Sequence, residues 1–417
     1  MFRRVKNIAL ILPLLIAAGA VQAGIVFTPH LGEYSRLPAG QYTEATFVYT
    51  EIKDVYNRDG QKVSTGSPFI PAGDSIDASL LLLKYLWVGD IFRDTSVPIL
   101  NTHPQFCRLI ATAGWQQGTG AVVERDNTAG MKSRASGQGD LFGLCGIYGD
   151  QHIWGPLDFN GLISATVKAP VGRYDTQSLL NIGTNYWSVI PQFAWHAELF
   201  GRLIMDGTFA YQFNGKNDNP SFGGLTPTRP ANVRNLEGNL AWKFTEHWYT
   251  DFGYSFRESV GPNYYDKYSL NVKNQPVPPQ DACNNTNNGT SVLGITVISP
   301  AICNSANAFF IQPRPGPYAD RGTQGTLLTA GVYYIYRTSA VVNLRMALPI
   351  KGRGGQIDTV YDVCTQKPCP GPKSAVFPNG ANSVTTTNST QNAVQEAAAV
   401  SASPYLELRL VYLFWAP

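Results

Sequence analysis

The stretch YLELRLVYLF, Tyr405 to Phe414, is an apolar run interrupted twice, by Glu407 and by Arg409. On a β-strand, residues two apart share a face. Leu406, Leu408, Leu410, Tyr412 and Phe414 therefore line one side, and Glu407, Arg409, Val411 and Leu413 the other. A soluble sandwich would bury the apolar side and wet the charges. A membrane barrel reverses this, with lipid on the apolar side and the charges in the lumen.

Other segments repeat the alternation. In LDFNGLISATVK, Asp158, Asn160, Ser164, Thr166 and Lys168 oppose Leu157, Phe159, Ile163 and Val167. In HWYTDFGYSFRE, Trp248, Phe252, Tyr254 and Phe256 oppose Tyr249, Asp251, Ser255 and Arg257. Strands are expected near 41–52, 75–87, 97–114, 139–149, 157–169, 184–197, 201–213, 232–244, 247–257, 323–337, 339–350 and 404–415. Their number, about twelve, is even, as in single-chain bacterial barrels. The links after the even-numbered strands are short, such as Glu198-Leu199-Phe200 and Thr245-Glu246, whereas those after the odd-numbered strands are long. Short periplasmic turns alternating with long extracellular loops are the pattern of a transmembrane antiparallel barrel. A sandwich gives no reason for it. The fold class expected is all-β.

The ends and composition agree. MFRRVKN followed by IALILPLLIAAGA and Val21-Gln22-Ala23 reads as a secretory signal peptide over 1–23, cut after Ala23. Residues 24–417 then form a single barrel domain, with its longest loops at 258–322 and 351–403. No later segment is long and apolar enough for a membrane helix. The chain has 21 tyrosines, 20 phenylalanines and 40 glycines against only 15% charged residues, which favours strands with aromatic girdles. Trp87, Trp187, Trp195, Trp248 and Trp415 fall at strand ends, where such girdles sit. A formal net charge of +3 gives no footprint for nucleic acid.

Six cysteines in an exported chain point to disulfides, with neighbours in sequence pairing: Cys107 with Cys145, Cys283 with Cys303, and Cys364 with Cys369. Two buried free thiols are the alternative for Cys107 and Cys145. Metal binding is disfavoured, since no C-x-x-C spacing or histidine cluster accompanies them. The polar strand faces carry Asp158, Lys168, Arg202, Asp206, Glu237, Lys243, Asp251, Arg257, Arg345, Glu407 and Arg409. In a barrel these line the solute path. Unpaired charge there is costly, so opposite signs should pair.

At 168–187 the chain reads KAPVGRYDTQSLLNIGTNYW. This resembles a stretch of the outer-membrane barrel family named for the MetA pathway of phenol degradation, in which K-x-P-x-G-x-Y-D precedes a G-x-x-x-W strand start. The matching residues are Lys168, Pro170, Gly172, Tyr174, Asp175, Gly183 and Trp187. LPAGQY at 37–42, LLLKYLW within 80–87 and GDLFGL at 139–144 are similar too. The resemblance implies a transport role for small aromatic or hydrophobic compounds in the outer membrane of a Gram-negative bacterium. Its partners would be outer-membrane lipid, the barrel-assembly machinery and a small-molecule solute. The chain departs from the common ending of such barrels, because Phe414 is followed by Trp415-Ala416-Pro417.

Three functions compete. The first is a channel. The second is a plugged structural or binding barrel, which balanced interior charges would suit. The third is an outer-membrane lipase, which needs a histidine beside a nucleophilic serine on the outer wall. His196 falls instead on the interior face with Ser188 and Gln192, and no lipase-like motif surrounds any serine. The reading is therefore of a non-enzyme. No nucleotide loop, haem motif or catalytic metal site is present, so no cofactor is expected.

Overall fold

The computed structural model describes residues 34–56, 60–63, 75–92, 96–118, 134–175, 181–219, 229–261, 291–292, 295–296, 308–313, 323–336, 340–353, 355–364, 391–398 and 400–415. The expected signal peptide lies outside them, as do Cys283, Cys303 and Cys369. Twelve long strands form a closed antiparallel barrel. They are β1 (Gly40–Ile52), β2 (Ile76–Gly89), β3 (Gln105–Gly118), β4 (Arg134–Tyr148), β5 (Leu157–Ala169) and β6 (Ser188–Leu199). The second half comprises β7 (Leu203–Asn214), β8 (Asn232–Lys243), β9 (Trp248–Val260), β10 (Gln324–Tyr336), β11 (Ala340–Arg353) and β12 (Tyr405–Trp415). Each pairs with its neighbours in sequence, and β1 pairs with β12 to close the ring. The barrel therefore leaves none of these strands as an open edge, which is what lipid demands of a spanning sheet.

Alternation sorts the side chains. On β12, Leu406, Leu408, Leu410 and Tyr412 are exposed, while Tyr405, Glu407 and Arg409 are buried. The same parity exposes Phe47, Leu83, Leu109, Ile163, Phe193, Phe209, Phe252, Val332 and Leu344 around the outer wall. Trp87, Trp242 and Trp248 stand on that wall near the short-turn end, and Trp187 near the long-loop end. This is a transmembrane barrel, apolar outside and polar within. Its strands, of 11 to 15 residues in β12 and β4, are long enough to cross a bilayer when tilted.

Cys107 of β3 and Cys145 of β4 are direct cross-strand partners and form a disulfide, with 4.1 Å between their Cα atoms. Both lie on the outward parity, since Leu109 two residues on is exposed and Phe106 and Leu144 beside them are buried.

Some details depart from expectation. The residues read as the start of the third strand instead make a helical turn, Pro98–Thr102, with proline in its first turn, where its missing N–H leaves no orphan donor. The two longest loops, 258–322 and 351–403, contribute Ala308–Pro313, Gly355–Cys364 and Gln391–Ala398, which pair into a small sheet. The β6–β7 turn places Phe200 and Gly201 at positive φ, with the Arg202 amide donating to the Leu199 carbonyl (3.1 Å). That geometry matches the twist of a tight hairpin.

Candidate functional site

The interior is organised in three levels. At mid-depth, inward side chains on adjacent strands bring opposite charges together. Glu44 of β1 pairs with Lys84 of β2 (2.8 Å) and with Arg409 of β12 (2.7 Å). Arg345 of β11 pairs with Asp251 of β9, and the Tyr333 hydroxyl accepts a further bond from its guanidinium (2.9 Å). Glu407 stands directly opposite Arg345 in the β11–β12 register. Asp206 of β7 meets His196 Nδ1 of β6 at 2.7 Å. Asn160, Asn239 and Asn343, all buried, continue the polar belt. Removing one member of such a pair strands its partner, which costs about 3–5 kcal/mol for a buried ion pair.

At the long-loop end, the connector after β5 folds against the inside of β4. Asp140 organises it. Its carboxylate accepts from the Gly172 amide (3.1 Å) and the Thr184 amide (2.9 Å) and lies 3.8 Å from Lys168 Nζ. Gly172 and Gly183 touch backbone to backbone: a Cβ at residue 172 would stand 2.7 Å from Gly183 Cα and from the Gly139 carbonyl carbon. Gly172 is thus needed for close approach, and not for the unusual backbone angles that a turn glycine supplies. Asn181 closes the loop, accepting from the Asp175 amide (2.7 Å) and donating to the Asp175 carbonyl (3.1 Å). Inward Gln116 donates to the Asn181 carbonyl (3.4 Å).

This loop carries Tyr186 inward, with Lys168 Nζ 3.7 Å from its ring centre. Burial pushes the Tyr186 phenol up to about 12, opposed by the charge of Arg257 and assisted by that of Asp140. Glu237 is within electrostatic reach of Arg257. Lys168, Tyr186, Arg257 and Glu237 therefore gather at the long-loop end as a mixed-charge group beside an aromatic ring.

At the short-turn end the lining becomes apolar. Leu86, Val88, Phe106, Leu144, Tyr148, Leu162 and Ala194 all face inward and form one buried cluster with Tyr34 from the segment before β1. The Asn160 side chain donates to the Tyr34 carbonyl (3.2 Å). Across the lumen, Ile204, Ala241, Tyr249 and Tyr333 make a second apolar cluster.

The candidate path residues fall into groups. Asp206, Asp251, Arg345, Glu407 and Arg409 lie in the mid-depth belt, while Lys168, Glu237 and Arg257 lie at the long-loop end. Lys243, half-buried, lies 5.8 Å from the Tyr249 ring centre near the short-turn rim. Asp158 is also at that rim, where Gln151 donates to both its oxygens (2.7 and 2.9 Å). Arg202 is a correction: it belongs to the β6–β7 turn, one residue short of the strand, and is exposed. Glu44, Lys84 and Asp140 were not expected in the path. Glu44 follows the β1 alternation and was legible; Lys84 sits in LLLLKYLWVG, where both faces are apolar. Of the motif, Lys168, Gly172 and Gly183 join the docked loop, the Tyr174 hydroxyl accepts from Asn217 (3.5 Å), and Trp187 is exposed. Among the described residues, no group of three or more His, Cys, Asp or Glu could hold a metal ion.

The family described as "Putative MetA-pathway of phenol degradation" matches residues 59–270 of the 417. An outer membrane channel from Pseudomonas putida F1 superposes with a TM-score of 0.55 at 12% identity, covering 93% of this chain and 100% of that one. The toluene transporter TodX of Pseudomonas putida gives a TM-score of 0.31 at 10% identity, covering 95% and 98% of the two chains. OmpT of Vibrio cholerae gives 0.28 at 11% identity, covering 92% and 100%. No curated protein sequence matches the chain.

Proposed function

The chain belongs to the family of the MetA pathway of phenol degradation, and on that premise we propose that it is an outer-membrane channel for small aromatic or weakly polar compounds. The observation that carries this reading is the graded interior. A solute entering between the long loops meets a gate of Lys168, Arg257 and Glu237 beside the Tyr186 ring, then a belt of paired charges, then an apolar short-turn mouth. Paired charges hold their own fields and leave little net attraction for small inorganic ions. An aromatic ring with one polar substituent can satisfy the gate at one end and the apolar lining at the other.

The orientation follows from the same reading, with long loops outside, short turns in the periplasm and the outer wall in lipid. The barrel would be inserted by the assembly machinery of a Gram-negative outer membrane. The partners are thus lipid, that machinery and the solute.

A second reading, a plugged binding barrel, draws support from the same interior. Tyr34 and, from the connector after β5, residues 170–175 and 181–186 occupy lumen space that an open pore would leave free.

Planar-bilayer recording of the refolded mature protein separates the two. A channel gives discrete conductance steps that phenols and small aromatic acids block in a concentration-dependent way. A silent barrel that still binds these compounds would replace the channel reading with the plugged one.

A further inference from the structure

The inward cations Lys84, Lys168, Arg345 and Arg409 each have a carboxylate partner. Arg257 differs from them. Alternation on β9 turns it to the lumen with Asp251 and Ser255, between Asn235 of β8 and Gly325 of β10. Among the described residues its guanidinium makes no hydrogen bond and no ion pair. Glu237 acts on its charge from two residues deeper in the β8–β9 register, opposite Ser255, without bonding to it. On the outer face of the same two strands Arg234 donates to Glu258 (2.8 Å), so the guanidinium left without an acceptor is the one inside. Taking a cation out of water with no partner costs free energy that a bound anion would return.

Tyr186 is in a similar position. Its ring rests against Lys168 Nζ (3.7 Å), and among the described residues its hydroxyl makes no hydrogen bond. Of the charged groups around this phenol, Arg257 acts on it most strongly. Lys168 is within electrostatic reach of Arg257 too. Two unused sets of donors, one on β9 and one on the connector after β5, thus meet at the long-loop end of the lumen. The Asp140 carboxylate, the other anion nearby, is occupied by the Gly172 and Thr184 amides and by Lys168.

We propose that Arg257 and Tyr186 form a binding site for a carboxylate anion, the guanidinium donating to both oxygens and the phenol hydroxyl to one of them. The planar fork of arginine matches the two oxygens of a carboxylate. The Tyr186 phenol, raised to about 12, keeps at neutral pH the proton that it donates. Asp140 and Glu237 already equal Lys168 and Arg257 in number, so one added negative charge is better tolerated than two. The site deepens the channel reading, on which it rests for its purpose, by fixing the charge class of a solute. It requires no aromatic ring.

The test uses the full mature chain, refolded in detergent micelles and titrated with isotope-labelled propionate followed by NMR, with propionamide as the uncharged match. Propionamide is expected to bind about tenfold more weakly than propionate, because hydrogen bonds to a charged acceptor are the stronger kind. Arg257→Gln should weaken propionate about tenfold or more, and Tyr186→Phe about threefold or more. Arg257→Lys keeps the charge without the fork and should fall between wild type and Arg257→Gln. Arg234→Gln removes one positive charge from the outer face of the same end and should leave the affinity unchanged. Should Arg257→Gln fail to fold, Arg257→Lys and Tyr186→Phe carry the test. Equal affinity for propionate and propionamide overturns the inference, as does a loss in Arg234→Gln as large as that in the Arg257 variants. Bilayer current recorded on the same preparations keeps the two claims apart. Current in a protein that does not bind propionate removes the site and leaves the channel, whereas propionate binding without current leaves the site and removes the channel.

Discussion

Asp251 of β9 and Arg345 of β11 are ion-paired across the strand that separates them, directly over Gly331 of β10. A Cβ on Gly331 would stand 2.5 Å from an Asp251 oxygen and 3.2 Å from Arg345 Cβ, so the pair passes over a gap that only glycine leaves. Both side chains are fully buried. Three strands are thereby tied together on the lumen side by one interaction that no backbone ladder provides.

Breaking this pair should be severe and replacing it mild. Arg345→Ala removes the cation that Asp251 pairs with and Glu407 faces, and a loss of about 3–5 kcal/mol is expected in urea unfolding from micelles. The double variant Asp251→Asn, Arg345→Met removes both charges of the pair and should recover the part of that loss that comes from Asp251, leaving the part that comes from Glu407. If the double variant is as unstable as the single one, the interaction does not act as an electrostatic clamp.

Gly172→Ala tests the docking of the 170–187 connector. The new methyl group would meet the backbone of Gly183 and Gly139 at 2.7 Å, and neither can move aside as a flexible side chain would. Overpacking of this kind costs about 1–3 kcal/mol. The connector should leave the β4 wall, which conductance would register as a larger or noisier open level than in the parent protein.

The Cys107–Cys145 bridge closes a loop with a sequence separation of 38 residues. Chain entropy alone assigns such a loop about 4 kcal/mol of stabilisation. The Cys107→Ser, Cys145→Ser double variant should unfold at correspondingly lower urea, and reductant should shift the parent midpoint towards that of the variant. Thiol labelling of the unreduced protein at either position would contradict the bridge.

The pH response of the gate follows from Tyr186. Burial raises its phenol from 10.0 to about 12, so the folded state holds this proton more tightly than the unfolded chain does. The sign is then fixed: its contribution is present in full below pH 10 and is lost as pH rises towards about 12. Tyr186→Phe has no proton to lose, so its stability should fall less than that of the parent over this window. Equal decline in the two proteins would place the titration elsewhere.

Much of this architecture was legible because one physical rule, alternation, governs a barrel wall. Wherever charges punctuate an apolar strand, as at Glu407 and Arg409, the two faces separate in the sequence itself. The rule weakened where the lumen is also apolar. Leu80, Leu86 and Val88 face inward on β2, so nothing in LLLLKYLWVG marks Lys84 as an interior charge. It erred at Arg202, where parity pointed inward but the chain had already turned. Tyr34 was beyond its reach altogether, because alternation describes the wall and is silent on what enters from the end. The motif at 168–187 was visible as a pattern, but its reason was not: the contact of Gly172 with Gly183 and Gly139 joins residues distant in sequence, and only the folded loop brings them together.

Glu44 belongs to the first strand of the barrel and Arg409 to the last, and the bond between them exists only when the ring is shut. The charge balance of the interior is consequently a property of the whole circle and of no arc of it. A chain lacking its final strand would take Arg409 from Glu44 and leave Arg345 without Glu407 opposite. An incomplete sheet would thus present a carboxylate on one margin and a guanidinium on the other, each short of the partner that the last strand supplies. The side chains that line the finished passage also favour completing the circle, so that the wall and its lumen are acquired in one event.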